Sequence, residues 1–371
     1  MNILFITNTL PPVVDGVGDY TLNLAREFAK HGHHVSIVCK HDDRVRRDYT
    51  DIAVYPIVEK WDRKASKIVM QLIQKDNVNI VLLQYVPHGF EKNGLPFSLV
   101  HLTSCIKKRG IALFTFFHEV CIGNDGSHSL RRRIGSFCMA LIAKRVALNS
   151  QFVATSIGHY KKRLEKLSVR NVETIPIPSN VPNCLLSESE ISTLKKEIAH
   201  DDETIITLFG NRDFSIVVEA IEKIIDCGRK IKIIALGKAN SSIPKKDFVF
   251  FTGPKPIEEL SAYLKLTDIL VLPEDVRSGC SLKSGSLAAS LQFGIPTITT
   301  KGFMTDSVLD ELFVFAKENT SQEYEHIISE MIDNSAELDI MRKRNLDFAK
   351  SLTWNATYVR YMGLMSTLKC Q

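Results

Sequence analysis

Several things are missing from this sequence, and each closes off a class of protein. None of its eight cysteines (39, 105, 121, 138, 184, 227, 280 and 370) belongs to a Cys-x-x-Cys pair, and no histidine stands at zinc spacing from them. That pattern offers neither a metal cage nor a disulfide framework, and it suits a reducing, cytoplasmic compartment. No apolar run is fit to cross a membrane: the longest, from Phe137 to Ala154, is interrupted by Lys144, Arg145 and Asn149. A basic leader is absent too, and the apolar run Ile3 to Ile6, soon followed by Pro11 and Pro12, reads as a first strand rather than a signal peptide. Internal repeats and low-complexity tracts are likewise absent.

What is present is ordinary globular material in more than one domain's quantity. With 371 residues, 44% of them hydrophobic and 24% charged, the chain exceeds one typical hydrophobic core and is far from a disordered composition. The net charge of +5 hides an asymmetry. Residues 1 to 182 hold 25 Lys and Arg against 15 Asp and Glu, whereas the remainder holds 22 against 27. Basic clusters at Arg44, Arg46 and Arg47, at Arg131 to Arg133 with Lys144 and Arg145, and at Lys161 to Arg163 with Lys166 and Arg170 suit an anionic membrane surface or a lipid diphosphate. Solvated helix faces explain them equally well. Nucleic acid is the poorest match, since the clusters have no interleaved aromatic residues.

Along the chain, strands and helices alternate. NILFIT reads as a strand, Tyr20 to Lys30 as an amphipathic helix stopped by Gly32, and HVSIVCK as the next strand. Further strands are expected at 52–58, 80–84, 112–117, 152–155 and 172–175. After the Pro-rich passage IPIPSNVPNC (175–184), which has the stiffness of a linker, the alternation restarts with TIITLFG, a helix at 215–227, IKIIAL, FVFFTG, a helix at 257–266 and DILVLP. A last helix is expected from Trp354 to Leu368. This grammar predicts an α/β protein of two doubly wound, Rossmann-like domains, 1–180 and 185–351, whose strand ends face a central cleft.

Three passages carry candidate chemistry. The first, PPVVDGVGDY, brings Gly16 and Gly18 ahead of a helix, but too far from the strand and without the third glycine of a dinucleotide fingerprint. It is expected to be a loop able to approach a phosphate or sugar, although a plain turn with Asp19 as helix cap explains it as well. The second is FTFFHEV, whose strand ends on His118 and Glu119, with Gln84 and His88 of QYVPHGF at the same rim. A hydrogen-bonded core histidine is the simpler reading of either imidazole taken alone. The third, DILVLPEDVRSGCSLKSGSLAASLQFGIP, sets Glu274, Asp275 and Arg277 after a strand and then Ser278, Gly279, Cys280, Ser281, Leu282, Lys283 and Ser286 at a helix start. Backbone N–H groups, hydroxyls and one lysine crowded there make a seat for a diphosphate, or else simply let helices pack closely.

These residues carry a resemblance. The third passage resembles the signature segment of glycosyltransferase family 4, in which two acidic residues eight positions apart precede A-x-A-x-G-x-P-V. The opening PPVVDGVGDYTLNLAREFAKHGHHVSIV, QYVPHGF and FFHEV are similar to the same family, and TWNATYVRYMGLM resembles its last helix. The resemblance implies the GT-B fold with residues 352–371 returning to the first domain, retention of anomeric configuration, no obligatory metal and no cofactor beyond a nucleotide-sugar co-substrate. It places a donor on the second domain and an acceptor on the first, and the basic first half suits a glycan or lipid-linked acceptor at the inner face of the membrane, as in bacterial surface polysaccharide or glycoconjugate synthesis. Carried over by position, Gly16, Gly18, Arg212 and 279–286 fall on the donor diphosphate and nucleotide. His118 falls near the donor sugar; read from the residues themselves, His118 and Glu119 are the candidates for catalysis, Glu274, Asp275 and Ser278 for the donor sugar, and Asp19, Gln84 and His88 for the acceptor side. Both signature acids are serine here, Ser278 and Ser286, and LFGNRDF supplies Arg212 with no matching lysine. Those departures support a rival, a catalytically silent paralogue that binds a nucleotide sugar or a partner enzyme. An epimerase of the same fold is a second rival, for which no catalytic carboxylates can be assigned.

Overall fold

The computed structural model describes residues 1–121, 130–238 and 241–366. It divides into two compact units, Met1–Pro176 with Trp354–Gln371, and Ile177–Thr353.

The first unit runs β1 (Asn2–Ile6), α1 (Gly16–Lys30), β2 (His34–Lys40), β3 (Asp48–Tyr49), β4 (Ile52–Val58), α2 (Arg63–Lys75), β5 (Ile80–Tyr85), α3 (Pro87–Phe90), α4 (Phe97–Lys108), β6 (Ala112–Phe117), α5 (Leu130–Asn149), β7 (Phe152–Thr155), α6 (Gly158–Lys166) and β8 (Val172–Thr174). Its sheet has the order β3-β4-β2-β1-β5-β6-β7-β8, parallel throughout except where β3 meets β4. Strands such as β5, buried at every position, are near-continuous apolar runs because helices cover both faces of a parallel sheet.

The second unit runs α7 (Glu188–Ile198), β9 (Thr204–Phe209), α8 (Ser215–Asp226), β10 (Ile231–Leu236), β11 (Val249–Gly253), α9 (Leu260–Lys265), β12 (Ile269–Leu272), α10 (Gly285–Gln292), β13 (Thr297–Thr300), a 3₁₀ turn (Ser307–Glu311), β14 (Val314–Ala316), α11 (Ser321–Asp333) and α12 (Ser335–Ala349). Its sheet, β11-β10-β9-β12-β13-β14, is wholly parallel. The final helix, α13 (Trp354–Ser366), belongs to the first unit. There Tyr361 stacks on Phe114 and meets the Tyr20 hydroxyl at 3.2 Å, while Tyr358 stacks on His31. The expected end of this helix at Leu368 lies outside the described residues.

Both units are doubly wound, and each has one point where the strand order reverses: between β1 and β5 in the first, between β9 and β12 in the second. In such sheets the crevice beyond the carboxyl ends at that point is where ligands are held.

Three expectations need correction. The first helix starts at Gly16, not Tyr20, because Asp15 caps it by accepting the N–H groups of Val17 and Gly18; the expected cap, Asp19, lies inside its first turn. The helix expected at 257–266 covers only Leu260–Lys265, since the chain after Pro256 first makes a turn in which the Pro256 carbonyl accepts the Glu259 N–H at 3.0 Å. The Pro-rich passage is also no free tether. The Ile177 N–H reaches the Leu282 carbonyl, Gln292 Nε2 the Val181 carbonyl and Lys265 Nζ the Cys184 carbonyl, at 3.1, 2.7 and 2.5 Å, which fastens it along the second unit.

Candidate active site

In the second unit the reversal point brings the ends of β9 and β12 side by side, and Arg212 and Glu274 meet there. The guanidinium donates to Glu274 Oε1 from Nε (3.1 Å) and Nη2 (2.6 Å), and to the Phe209 carbonyl from Nη1 (2.9 Å). Nη2 also reaches Ser286 Oγ at 3.0 Å and Ser284 Oγ at 3.3 Å. Gly210 makes this fold-back feasible: its φ is +94°, and a Cβ there would sit 2.5 Å from Arg212 Nη1. A cation is thus held over the first turn of α10, where Ser284 is the N-cap and accepts the Leu287 N–H. Helix N-termini attract anions through unpaired N–H groups and the helix dipole, and a guanidinium adds a planar, bidentate partner for a phosphoryl group.

The loop between β12 and α10 is rigid by construction. Gly279 has φ +67°, and a Cβ on it would come within 2.1 Å of the Gly302 nitrogen, so two backbone segments touch directly. They are stitched by Cys280 N–H to the Thr300 carbonyl, Phe303 N–H to the Arg277 carbonyl and Met304 N–H to the Ser278 carbonyl, at 2.8 to 2.9 Å. Asp275 is spent on this loop: its Oδ1 accepts the N–H groups of Arg277 and Ser278 and the Ser278 hydroxyl, and the Ser278 N–H foremost holds its carboxyl below the usual range. Cys280, Ser281 and Leu282 are buried, and burial pushes the Cys280 thiol up to about 11; Lys283 is exposed. Cys280 and Leu282 therefore lie under the seat and shape it. An open pocket of about 530 Å³, lined by Asn211, Arg212, Asp213, Ser215, Ser241 and Ser242, adjoins the guanidinium. A larger one of about 610 Å³ lies at the amino ends of β9 and β10, by Glu203 and Lys230, and includes none of the expected site residues.

In the first unit a pocket of about 340 Å³ opens at the β1/β5 reversal point, lined by Thr7, Asn8, Thr9, Asp15, Val17, Gln84, Val86, His88, Gly89 and Phe90. Gln84 is 1% exposed, and its Oε1 lies 2.9 Å from His118 Nε2 while its Nε2 is buried without a hydrogen-bond partner among the described residues. An unmet buried amide donor is costly, so this one asks for an acceptor from the pocket. His118 is enclosed by Tyr20 and Phe116, its ring centroid 4.9 and 4.6 Å from theirs, and burial drives its pKa down to about 3. It is a neutral imidazole at any physiological pH.

Two further first-unit candidates lie at the surface. Glu119, next to His118, is exposed, and His88 is exposed with Nδ1 3.3 Å from the Lys92 carbonyl. The expected glycine loop does not exist as a loop. Gly16 and Gly18 are helical, and the Gly18 N–H is given to Asp15 Oδ2. Asp15 also accepts from the Thr9 hydroxyl, and its charge, after burial, raises the pKa of Asp19. Asp15 went unnoticed as a site residue, although an Asp immediately before a helix start is a recognisable cap signal. Among the described residues no group of three or more His, Cys, Asp and Glu side chains is placed to hold a metal ion.

Two doubly wound units, the first with a pocket at its reversal point and the second with the Arg212–Glu274 pair at its own, define a GT-B-type α/β chain, and solved structures agree. The chain resembles sucrose-phosphate synthase from Thermosynechococcus elongatus (TM-score 0.73, 14% identity, 100% of this chain and 99% of that one). It also resembles Anabaena HepE in complex with UDP and glucose (0.65, 12%, 99% and 99%) and a UDP-GlcNAc 2-epimerase from Neisseria meningitidis bound to UDP-GlcNAc (0.62, 11%, 99% and 100%). At such identities the likeness is one of fold. Residues 14–171 match the family model Glycosyltransferase Family 4. No curated protein sequence matches it.

Proposed function

We propose that this protein transfers a sugar from a nucleoside-diphosphate donor to a glycan or lipid-linked acceptor with retention of configuration and without a metal, in the making of a surface polysaccharide or glycoconjugate. The observation that carries the reading is the Arg212 guanidinium held by the Ser284 and Ser286 hydroxyls over the start of α10. Breaking a glycosidic bond to a diphosphate builds negative charge on the leaving oxygens. Preorganised donors aimed at that charge are the largest single source of rate enhancement available to such a site. Arg212, the first N–H groups of α10 and Lys283 fill that role, with Gly279, Ser281 and Ser286 completing the seat. No side chain is required as nucleophile, because the acceptor hydroxyl attacks from the face the diphosphate leaves and passes its proton to it.

On the first unit, the Gln84 amide donor and the rim at Asp15, Asp19 and His88 take the acceptor. His118, uncharged, positions Gln84 through Nε2, and its burial makes it only a weak base. Glu119 is kept as a catalytic candidate and Glu274 and Ser278 as donor-sugar candidates, with Glu274 reaching the sugar only once it releases Arg212. The basic balance of residues 1 to 182 favours an acceptor met at an anionic membrane surface on the cytoplasmic side.

UDP is the first donor base to try, since HepE is described with UDP and glucose. A melting-temperature panel of UDP, GDP, ADP, CMP and dTDP tests the reading, because a ligand that favours the native state raises the transition. A rise with one nucleoside diphosphate supports it; none with any of them rejects it. The two serines at the signature positions favour a second reading, a silent paralogue that binds the nucleotide sugar without transferring it. Donor turnover by purified protein separates the two.

A further inference from the structure

We infer that α5 is the membrane-docking element of this protein, lying in the plane of an anionic lipid surface with a row of apolar side chains dipped into it. The helix is unusual in being apolar on two opposite faces. One face, Met139, Ile142, Ala143, Val146 and Ala147, is buried in the first unit against neighbours that include α4 and β6. The other carries Leu130, Ile134, Phe137, Leu141 and Leu148, which are between 44% and 70% exposed. At 3.6 residues per turn, these five positions fall within a sector about 60° wide, a single stripe about 27 Å long on the side away from the core. The fold leaves much of that stripe uncovered.

Its flanks say what covers it. Arg133 and Lys144 lie along one side of the stripe and Arg131 and Arg145 along the other, and the twenty residues of α5 contain no Asp or Glu. Two copies of such a face would oppose like charges, which disfavours a self-paired helix. A bilayer containing anionic lipid satisfies both features at once. The stripe enters the boundary between headgroups and acyl chains while the arginines and lysine extend sideways to the phosphates, their stems covering apolar surface. No helix among the described residues is long and apolar enough to cross a membrane, so contact through α5 is in-plane. This inference gives the membrane contact proposed above a definite location and does not depend on the donor chemistry.

The test is co-sedimentation of the full chain with vesicles of phosphatidylcholine alone and of phosphatidylcholine with phosphatidylglycerol. Salt-sensitive binding to the second and little to the first is expected. The double variant Ile134→Ser, Phe137→Ser and the double variant Arg131→Gln, Arg133→Gln should each weaken it at least tenfold. Because all four side chains are exposed, melting temperature and nucleoside-diphosphate affinity should hold in both, which separates failure of this inference from failure of the donor assignment. Wild-type protein that ignores anionic vesicles overturns it, as does undiminished binding by the Ser variant. Self-association abolished by the same serine substitutions would also overturn it, in favour of a protein interface.

Discussion

The protonation of His118 gives the sharpest quantitative expectation. Its ring, 6% exposed and walled by Tyr20 and Phe116, has its pKa lowered from 6.5 to about 3 by burial. The unfolded chain therefore binds a proton near pH 6.5 that the folded chain refuses until far lower pH. Stability from this group is complete above pH 6.5 and declines as pH falls towards 3. At pH 5 the loss is about 2 kcal/mol, from 1.36 kcal/mol per pH unit over the 1.5 units below 6.5. Both tryptophans, Trp61 and Trp354, belong to the first unit, so tryptophan emission during urea unfolding reports on the unit that houses His118. Wild type and His118→Gln, whose neutral amide can still meet Gln84, are compared at pH 7.5 and pH 5. Carboxylates and other histidines contribute alike to both, so the wild type should lose about 2 kcal/mol more than the variant. Equal losses would mean that His118 titrates inside the fold and would return it to consideration as a proton acceptor.

Other expectations follow from the same geometry. Gly279→Ala should destabilise the second unit by about 3 kcal/mol, because the new Cβ meets backbone at a position with positive φ; far-UV circular dichroism in urea reads it. Asp15→Ala should cost the first unit about 1 kcal/mol through loss of the α1 cap, with Asp15→Asn nearly neutral, both followed by tryptophan emission. Glu274→Gln removes the carboxylate that engages Arg212 and should tighten nucleoside-diphosphate binding about tenfold, about 1.4 kcal/mol by calorimetry. Unchanged affinity would show that the carboxylate does not compete for the cation.

The fold was legible because buried parallel strands are short apolar runs separated by helix-length amphipathic ones. β2, β4, β6 and β7 form over the residues expected of them. What misled the reading of PPVVDGVGDY was local propensity. Gly16 and Gly18 argue against a helix, yet the Asp15 cap and burial of Gly18, Tyr20 and Leu22 outweigh the cost of two glycines. The Arg212–Glu274 pair could not be read at all, since its members are 62 residues apart and meet only because β9 and β12 are neighbours in the sheet. The burial of His118 beside an exposed Glu119 is similarly tertiary. Strand alternation turns successive side chains to opposite faces but does not reveal which face lies beneath Tyr20 and Tyr361. Glu274 and Asp275 looked interchangeable in sequence, and only the loop geometry separates them, Asp275 serving the backbone and Glu274 the guanidinium.

The measurement that bears most directly on the account is calorimetric titration of UDP, or whichever nucleoside diphosphate raises the melting temperature most, into wild type and into the double variant Arg212→Ala, Lys283→Ala. If a diphosphate is held at the start of α10, loss of two charged partners should weaken binding at least about a hundredfold. Wild-type affinity retained by the double variant would contradict the assignment.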